Sequence, residues 1–159
     1  MYRILFVCHG NICRSPMAEM IFKDIVSKHN MQHVFYCESR ATSTEEYGNN
    51  IYPKASQVLQ AHHINVERNI VSMVKKEDYD RYNYIICMDW YNYFDLINIF
   101  KGDPERKIKF LLAFDGTGEE IEDPWYTGDF EKAYSLIEQG CVALFNYLMR
   151  DLHKKVFRS

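Results

Sequence analysis

The sequence predicts an α/β fold, a three-layer sandwich with a central four-stranded parallel sheet flanked by helices. Three observations lead there. Four runs of strand length, Ile4–Val7, His33–Ser39, Tyr84–Met88 and Ile108–Leu112, are rich in apolar and aromatic residues. Stretches with apolar residues at helical spacing lie between them, and strand–helix–strand alternation implies right-handed crossovers and parallel pairing. The 159 residues hold no internal repeat, low-complexity tract or linker, so residues 1–159 are expected to form one domain.

The first strand, Ile4–Val7, leads through a short loop to a helix expected from Pro16 to about His29, where Met17, Ile21 and Ile25 recur every fourth residue with Phe22 beside them. After the second strand, residues Arg40 to Asn50 form a polar loop. Pro53 opens a helix through Val58 and Leu59 to His62, and His62-His63 reads as its exposed end. The charged run Lys75-Lys76-Glu77-Asp78 reads as a solvated helix end or loop. The third strand, Tyr84–Met88, meets Asp89 where a helix should begin, and Tyr93, Leu96, Ile97 and Phe100 give that helix its spacing. Gly102-Asp103-Pro104 ends it. A long loop from Asp115 to Gly128 follows the fourth strand. The last helix, about Phe130 to Leu152, carries Ala133, Leu136, Ile137, Val142, Leu144, Phe145 and Leu148 as its expected buried stripe.

Composition narrows the function. A content of 47% hydrophobic and 26% charged residues is that of a globular chain, not a disordered one. A net charge of −3 argues against a nucleic-acid partner, and no apolar run approaches the roughly 20 residues that span a bilayer, so no membrane partner is expected. Five cysteines, an odd number with no secretory segment ahead of them, point to a reducing cytoplasm and not to an extracellular disulfide framework. Any anion site must therefore be local.

Such a site is written into Cys8-His9-Gly10-Asn11-Ile12-Cys13-Arg14-Ser15-Pro16, between the first strand and the first helix. Ser15 suits the N-cap and Pro16 the first helical position, which curls the loop ahead of a helix N-terminus where free N–H groups attract an anion. Gly10 is expected to let the backbone turn, and Asn11 to tolerate unusual dihedrals and brace the loop. Arg14 can grip two phosphate oxygens in a bidentate fork. Cys8, in the same positive field, is expected to be a thiolate at neutral pH.

A cysteine, five residues, an arginine and a serine resemble the signature of cysteine-dependent phosphatases. The wording Gly-Asn-Ile-Cys-Arg-Ser-Pro near the N-terminus resembles, more narrowly, the low-molecular-weight protein tyrosine phosphatases. Ser39 with Ala41-Thr42-Ser43, and Cys87-Met88-Asp89, are similar to further segments of that family, so the likeness extends over most of the chain. It implies a four-stranded parallel sheet, Cys8 as nucleophile, Arg14 as phosphate clamp and Ser15 as a hydrogen-bond donor to the thiolate. His9, Gly10, Asn11, Ile12 and Cys13 would line the phosphate loop.

A phosphate ester also needs its leaving oxygen protonated, which a thiolate and an arginine cannot do. Asp123-Pro124-Trp125-Tyr126, in the long loop, offers an acid beside aromatic walls, and it resembles the family's Asp-Pro-aromatic-Tyr loop. Carried over, Asp123 is the general acid and base, and Trp125 and Tyr126 flank the substrate ring. Glu45, with Glu46 and Tyr47, falls where the family lines the cleft mouth, and acidic residues there would disfavour acidic phosphopeptides. The implied reaction is hydrolysis of phosphotyrosine and small aryl phosphates through a phosphocysteine, with no metal and no cofactor. The expected partners are phosphotyrosine-containing proteins, with phosphate or other oxyanions as ligands.

The residues also carry departures and alternatives. His9 occupies a position more often aliphatic in the family, and Arg68 falls near where many members place a histidine that supports the loop. For Cys13 the resemblance supports a reversible disulfide with Cys8, against a plain packing role. Cys37, Cys87 and Cys141 read as core residues. Arsenate reduction would need a relay of nearby cysteines, which Cys87 and Phe94 do not supply, and a phosphoprotein-binding module would need no general acid. A zinc site on Cys8, His9 and Cys13 would lack paired ligands elsewhere.

Overall fold

The computed structural model describes residues 1–158. Strands β1 (Tyr2–Cys8), β2 (Phe35–Ala41), β3 (Tyr84–Cys87) and β4 (Ile108–Phe110) form one four-stranded sheet in the order β2-β1-β3-β4. All three pairings are parallel, with Cys8 opposite Ala41 and Val7 opposite Cys87. Six helices accompany them: α1 (Arg14–Lys28), α2 (Pro53–Ala61), α3 (Asp78–Arg81), α4 (Trp90–Phe100), α5 (Pro124–Thr127) and α6 (Phe130–Arg158).

Alternation along β1 builds the three layers. Ile4, Phe6 and Cys8 join the core formed with α1 and α6, whereas Leu5 and Val7 join a second core with Leu96 and Phe100 of α4. A central parallel strand covered on both faces reads as an unbroken apolar run, and Ile4–Val7 are all fully buried. In the first core Phe22 packs against Phe6, Phe35 and Phe145 with ring centroids 5.7–6.3 Å apart. Close approach of α6 to the turn after β4 needs Gly140, where an added Cβ would lie 2.4 Å from Leu111 Cγ.

The strand order places the site. From β1 the chain crosses to β2 on one side, and from β3 it crosses to β4 on the other, so the connections part between β1 and β3. At such a switch point a crevice opens beyond the carboxyl ends of the strands. Cys8 ends β1 there, and Asp89 follows β3.

Several expectations shift. The fourth strand is cut short because Leu111–Ala113 turn into a 3-10 helix, and a single helical turn, α5, stands in the expected long loop. The last helix runs on to Arg158, and Val142 of its expected stripe is 44% exposed. The charged run is not wholly solvated, since Asp78 is fully buried at the start of α3, caps the Lys75 N–H at 2.8 Å and lies 3.4 Å from Arg40 Nε. Cys37, Cys87 and Cys141 are buried, as expected of core thiols.

Candidate active site

The loop from Cys8 to Arg14 closes around the Cys8 sulfur. Three hydrogen bonds converge on it: one shared with the Ser15 hydroxyl at 3.0 Å, and one each donated by the Asn11 N–H at 3.3 Å and the Ser15 N–H at 3.4 Å. Donors aimed at one atom, at the N-terminus of a fifteen-residue helix, stabilise negative charge there. Asn11 holds the loop's tight turn at φ 58°, a left-handed conformation that asparagine tolerates better than most residues. Its side chain donates to Ser15 Oγ at 2.7 Å, which fixes that hydroxyl toward the sulfur.

Two local expectations are corrected here. Ser15 is not the N-cap: α1 begins at Arg14, Cys13 stands at the cap without a side-chain hydrogen bond, and the Ser15 hydroxyl is taken up by Cys8 and Asn11. The chain bends at Gly10, but the left-handed conformation of the loop belongs to Asn11 and not to the glycine.

Arg14 is 2% exposed and held from the far side of the sheet's switch point. Its Nη1 donates to Asp89 Oδ2 at 2.6 Å and to the Ile121 carbonyl at 2.8 Å, and Nη2 lies 3.5 Å from Asp123 Oδ2. Burial pulls the guanidinium pKa down, but Cys8, Asp89 and Asp123 outweigh it and raise the value, so Arg14 stays charged. Asp89 is itself fixed by its N-cap geometry, with Oδ1 accepting from the Asn92 N–H at 2.9 Å. Cys13 differs: burial, then the nearby Cys8 and Asp123, push its thiol well up and keep it protonated.

Asp123 comes from the opposite wall. It is the N-cap of α5, where Oδ1 accepts from Trp125 N–H at 3.0 Å and Pro124 takes the first helical position. Ile121, two residues earlier, donates its N–H to Met88 O at 2.9 Å, tying this loop to the end of β3. Tyr52 joins both walls: its N–H donates to Ile12 O at 2.9 Å, and its ring meets Trp125 edge-on at 4.9 Å.

A cavity of about 130 Å³ lies between the walls, lined by Cys8 through Arg14, Glu45, Glu46, Asp123, Trp125 and Tyr126. Thus His9, Gly10, Asn11, Ile12, Cys13, Glu45, Trp125 and Tyr126 all reach the cavity that sequence reasoning assigned them. Ser15 does not; it acts from behind through Cys8. Tyr47 stays outside the lining and is 70% exposed. His9 Nε2 lies 3.1 Å from Glu45 Oε2 across the mouth.

Support for the loop was missed. Asn69, and not the neighbouring Arg68, donates to Asn11 O at 3.3 Å and Oδ1 at 3.4 Å, while Arg68 is exposed. Behind Asn69, Ser39 donates to Glu19 Oε1 at 2.7 Å, and Lys23 donates to the other Glu19 oxygen at 2.6 Å. Asp89 carried a sequence signal, a polar residue at a strand end and helix start, but nothing paired it with Arg14. Among the described residues no group of three or more His, Cys, Asp or Glu side chains is arranged to hold a metal, and no helix is long and apolar enough to cross a membrane.

A cysteine and an arginine on one strand-to-helix loop of a parallel sheet, facing an aspartate, define a cysteine-dependent phosphatase. Comparison with known proteins narrows the class: the family model described as low molecular weight phosphotyrosine protein phosphatase matches residues 3–156. The chain belongs to that family and is a protein-tyrosine phosphatase. It is 33% identical over 153 residues to the low molecular weight protein-tyrosine-phosphatase YfkJ of Bacillus subtilis, covering 95% of this chain and 98% of that protein. To the low molecular weight phosphotyrosine protein phosphatase of Gallus gallus it is 38% identical over 146 residues, covering 88% and 91%. The crystal structure of YfkJ superposes with a TM-score of 0.91 over 95% of this chain and 96% of that one. That of SP-PTP from Streptococcus pyogenes, 38% identical, gives 0.81 over 94% and 93%.

Proposed function

We propose that this chain hydrolyses phosphotyrosine in proteins, and small aryl phosphates, in two displacements at phosphorus. In the first, Cys8 Sγ attacks phosphorus as the bond to the tyrosine oxygen breaks, and Asp123 gives its proton to that oxygen. In the second, Asp123 takes a proton from water as the water oxygen attacks phosphorus. The sulfur–phosphorus bond then breaks, releasing phosphate and restoring the Cys8 thiolate. Arg14 and the loop N–H groups hold the equatorial oxygens, where charge is greatest in the transition state. Trp125 and Tyr126 flank the ring, and Glu45 borders the mouth. Cys13 is the thiol that pairs with Cys8 on oxidation, and a reducing cytoplasm suits a site that works through a free thiolate. The one domain, residues 1–159, contains every residue these steps use.

The observation that carries this reading is the convergence of three hydrogen bonds, two of them from backbone N–H groups, on Cys8 Sγ inside a cavity that Arg14 and Asp123 also line. Acid quenching during turnover of a phosphorus-labelled tyrosine phosphopeptide is the test. Wild type should carry label on Cys8, and Cys8→Ser should carry none, with turnover down by more than about 10⁴-fold. Labelled Cys8→Ser protein, or retained turnover, would contradict the reading.

A further inference from the structure

Each carboxylate oxygen of Asp123 has its own neighbour: Oδ2 lies 3.5 Å from Arg14 Nη2, and Oδ1 accepts from the Trp125 N–H at 3.0 Å. The second contact makes the place of the acid depend on the place of Trp125. Trp125 stands on α5, a single helical turn, and such a turn does not hold its shape alone. What steadies it from behind is Tyr52. The Tyr52 ring meets Trp125 edge-on with centroids 4.9 Å apart, and stacks on Phe130 with centroids 5.8 Å apart and planes 23° from parallel. Trp125 lies inside α5 and Phe130 lies just beyond its C-cap Gly128, so one ring brackets the turn. Phe130 is itself 9% exposed and belongs to the core with α1 and α6, which gives the bracket a firm base.

Tyr52 is in turn placed by the opposite wall. Its N–H donates to Ile12 O of the phosphate loop at 2.9 Å, Ile51 before it is buried, and Pro53 after it opens α2. Asn50 Oδ1 accepts from the Ile51 N–H at 2.8 Å and from the N–H of Asn69 at 2.9 Å, and Asn69 is the residue that braces Asn11. The side chain at position 52 serves none of this backbone framework. A helix start of this kind usually carries Ser, Thr, Asp or Asn, whose oxygen satisfies a free N–H of the first turn. Tyr52 makes no such capping bond, and among the described residues its hydroxyl makes no hydrogen bond. The contribution of this side chain is its ring, and the ring touches the acid's turn.

We propose that Tyr52 is a positioning residue for proton transfer to the leaving group. Its backbone is fastened to the phosphate loop, its ring sets Trp125, and the Trp125 N–H sets Asp123, so the acid is held in register with the bound phosphoryl group. The effect belongs to the first displacement, where Asp123 gives up its proton, and leaves the Cys8 cradle as it is. The proposal rests on Asp123 being the general acid.

The test compares phenyl phosphate, whose leaving group needs a proton, with a nitrophenyl phosphate, whose leaving group needs it far less, in wild type, Tyr52→Leu, Tyr52→Phe and Asp123→Ala. The ratio of the two kcat/KM values within one sample does not depend on how much of that sample is folded. Tyr52→Leu should lower kcat/KM for phenyl phosphate about tenfold and for the nitrophenyl ester less than about threefold. Tyr52→Phe keeps the ring and should hold both values within about twofold of wild type. Alkylation of Cys8 by iodoacetate, which reads the cradle alone, should run at the wild-type rate in Tyr52→Leu. A wild-type ratio in Tyr52→Leu would overturn the proposal, as would the same change of ratio in Tyr52→Phe or a slowed alkylation of Cys8. Asp123→Ala tells the two readings apart. If it too keeps the wild-type ratio, the acid assignment fails and this proposal falls with it; if its ratio changes steeply while that of Tyr52→Leu does not, only the role of Tyr52 is lost.

Discussion

Cys8, Asn11, Arg14 and Ser15 are at most 3% exposed, whereas Trp125 and Tyr126 on the facing wall are 50% and 79% exposed. The first wall is fixed many times over: Cys8 Sγ accepts from Ser15 and Asn11, Arg14 is gripped by Asp89, and Asn11 is backed by Asn69. The second is one helical turn, held by the Ile121 bond to Met88, the contact of Asp123 with Arg14 and the edge of Tyr52 against Trp125. The difference matches the work each wall has to do. On the proposed mechanism, stabilising charge on the phosphoryl oxygens and on sulfur calls for donors that do not reorganise during reaction, and the first wall is buried and braced accordingly. On the same proposal, delivering a proton to leaving groups of varied shape calls for an acid beside an open, aromatic face.

If the buried wall acts through fixed geometry and not through net charge alone, Arg14→Lys should be the most damaging conservative change. Lysine keeps the charge but loses the planar fork and the paired contacts to Asp89 and Ile121. Steady-state kinetics should show kcat/KM for an aryl phosphate down by about 10²–10³-fold. A fall of less than about fivefold would mean that charge alone suffices.

The bracing behind the loop is the next place to press. Asn69→Ala removes the donor to both Asn11 oxygens and should lower kcat about tenfold with little change in KM. Such a split, measured beside an unchanged melting temperature, marks positioning and not lost stability. A proportional loss of folded protein with wild-type kcat would show that Asn69 serves the fold only.

How much of each wall was legible follows from how local its contacts are. Cys8, Asn11 and Arg14 sit within seven positions of one another, so loop chemistry and helix-start rules find them together. Even there a local rule misled: Ser15 looks like an N-cap, yet its hydroxyl is drawn to Cys8 and Asn11, seven and four residues away. Asp123 was readable only through its pairing with the Cys8 loop and the likeness of its segment to the family's Asp-Pro-aromatic-Tyr loop, since an aspartate before proline is by itself an ordinary turn residue. Asp89 meets Arg14 across 75 residues, and Asn69 meets Asn11 across 58, and no periodicity encodes either contact. Strand order brings Asp89 in: only with β3 beside β1 does the residue after one strand face the loop after the other. The fold class needed no such contact, because alternating strand and helix patterns specify parallel crossovers by handedness.

The division of labour between the walls can be measured directly by varying the leaving group. For a series of aryl phosphates whose phenols span several pKa units, the logarithm of kcat/KM should change little with phenol pKa in wild type, where Asp123 protonates the departing oxygen. In Asp123→Ala the same plot should fall steeply, with the poorest leaving groups losing about 10²–10⁴-fold and the best losing least. Parallel slopes for the two proteins would contradict Asp123 as the acid and, with it, the account of a cradle and a separate proton donor.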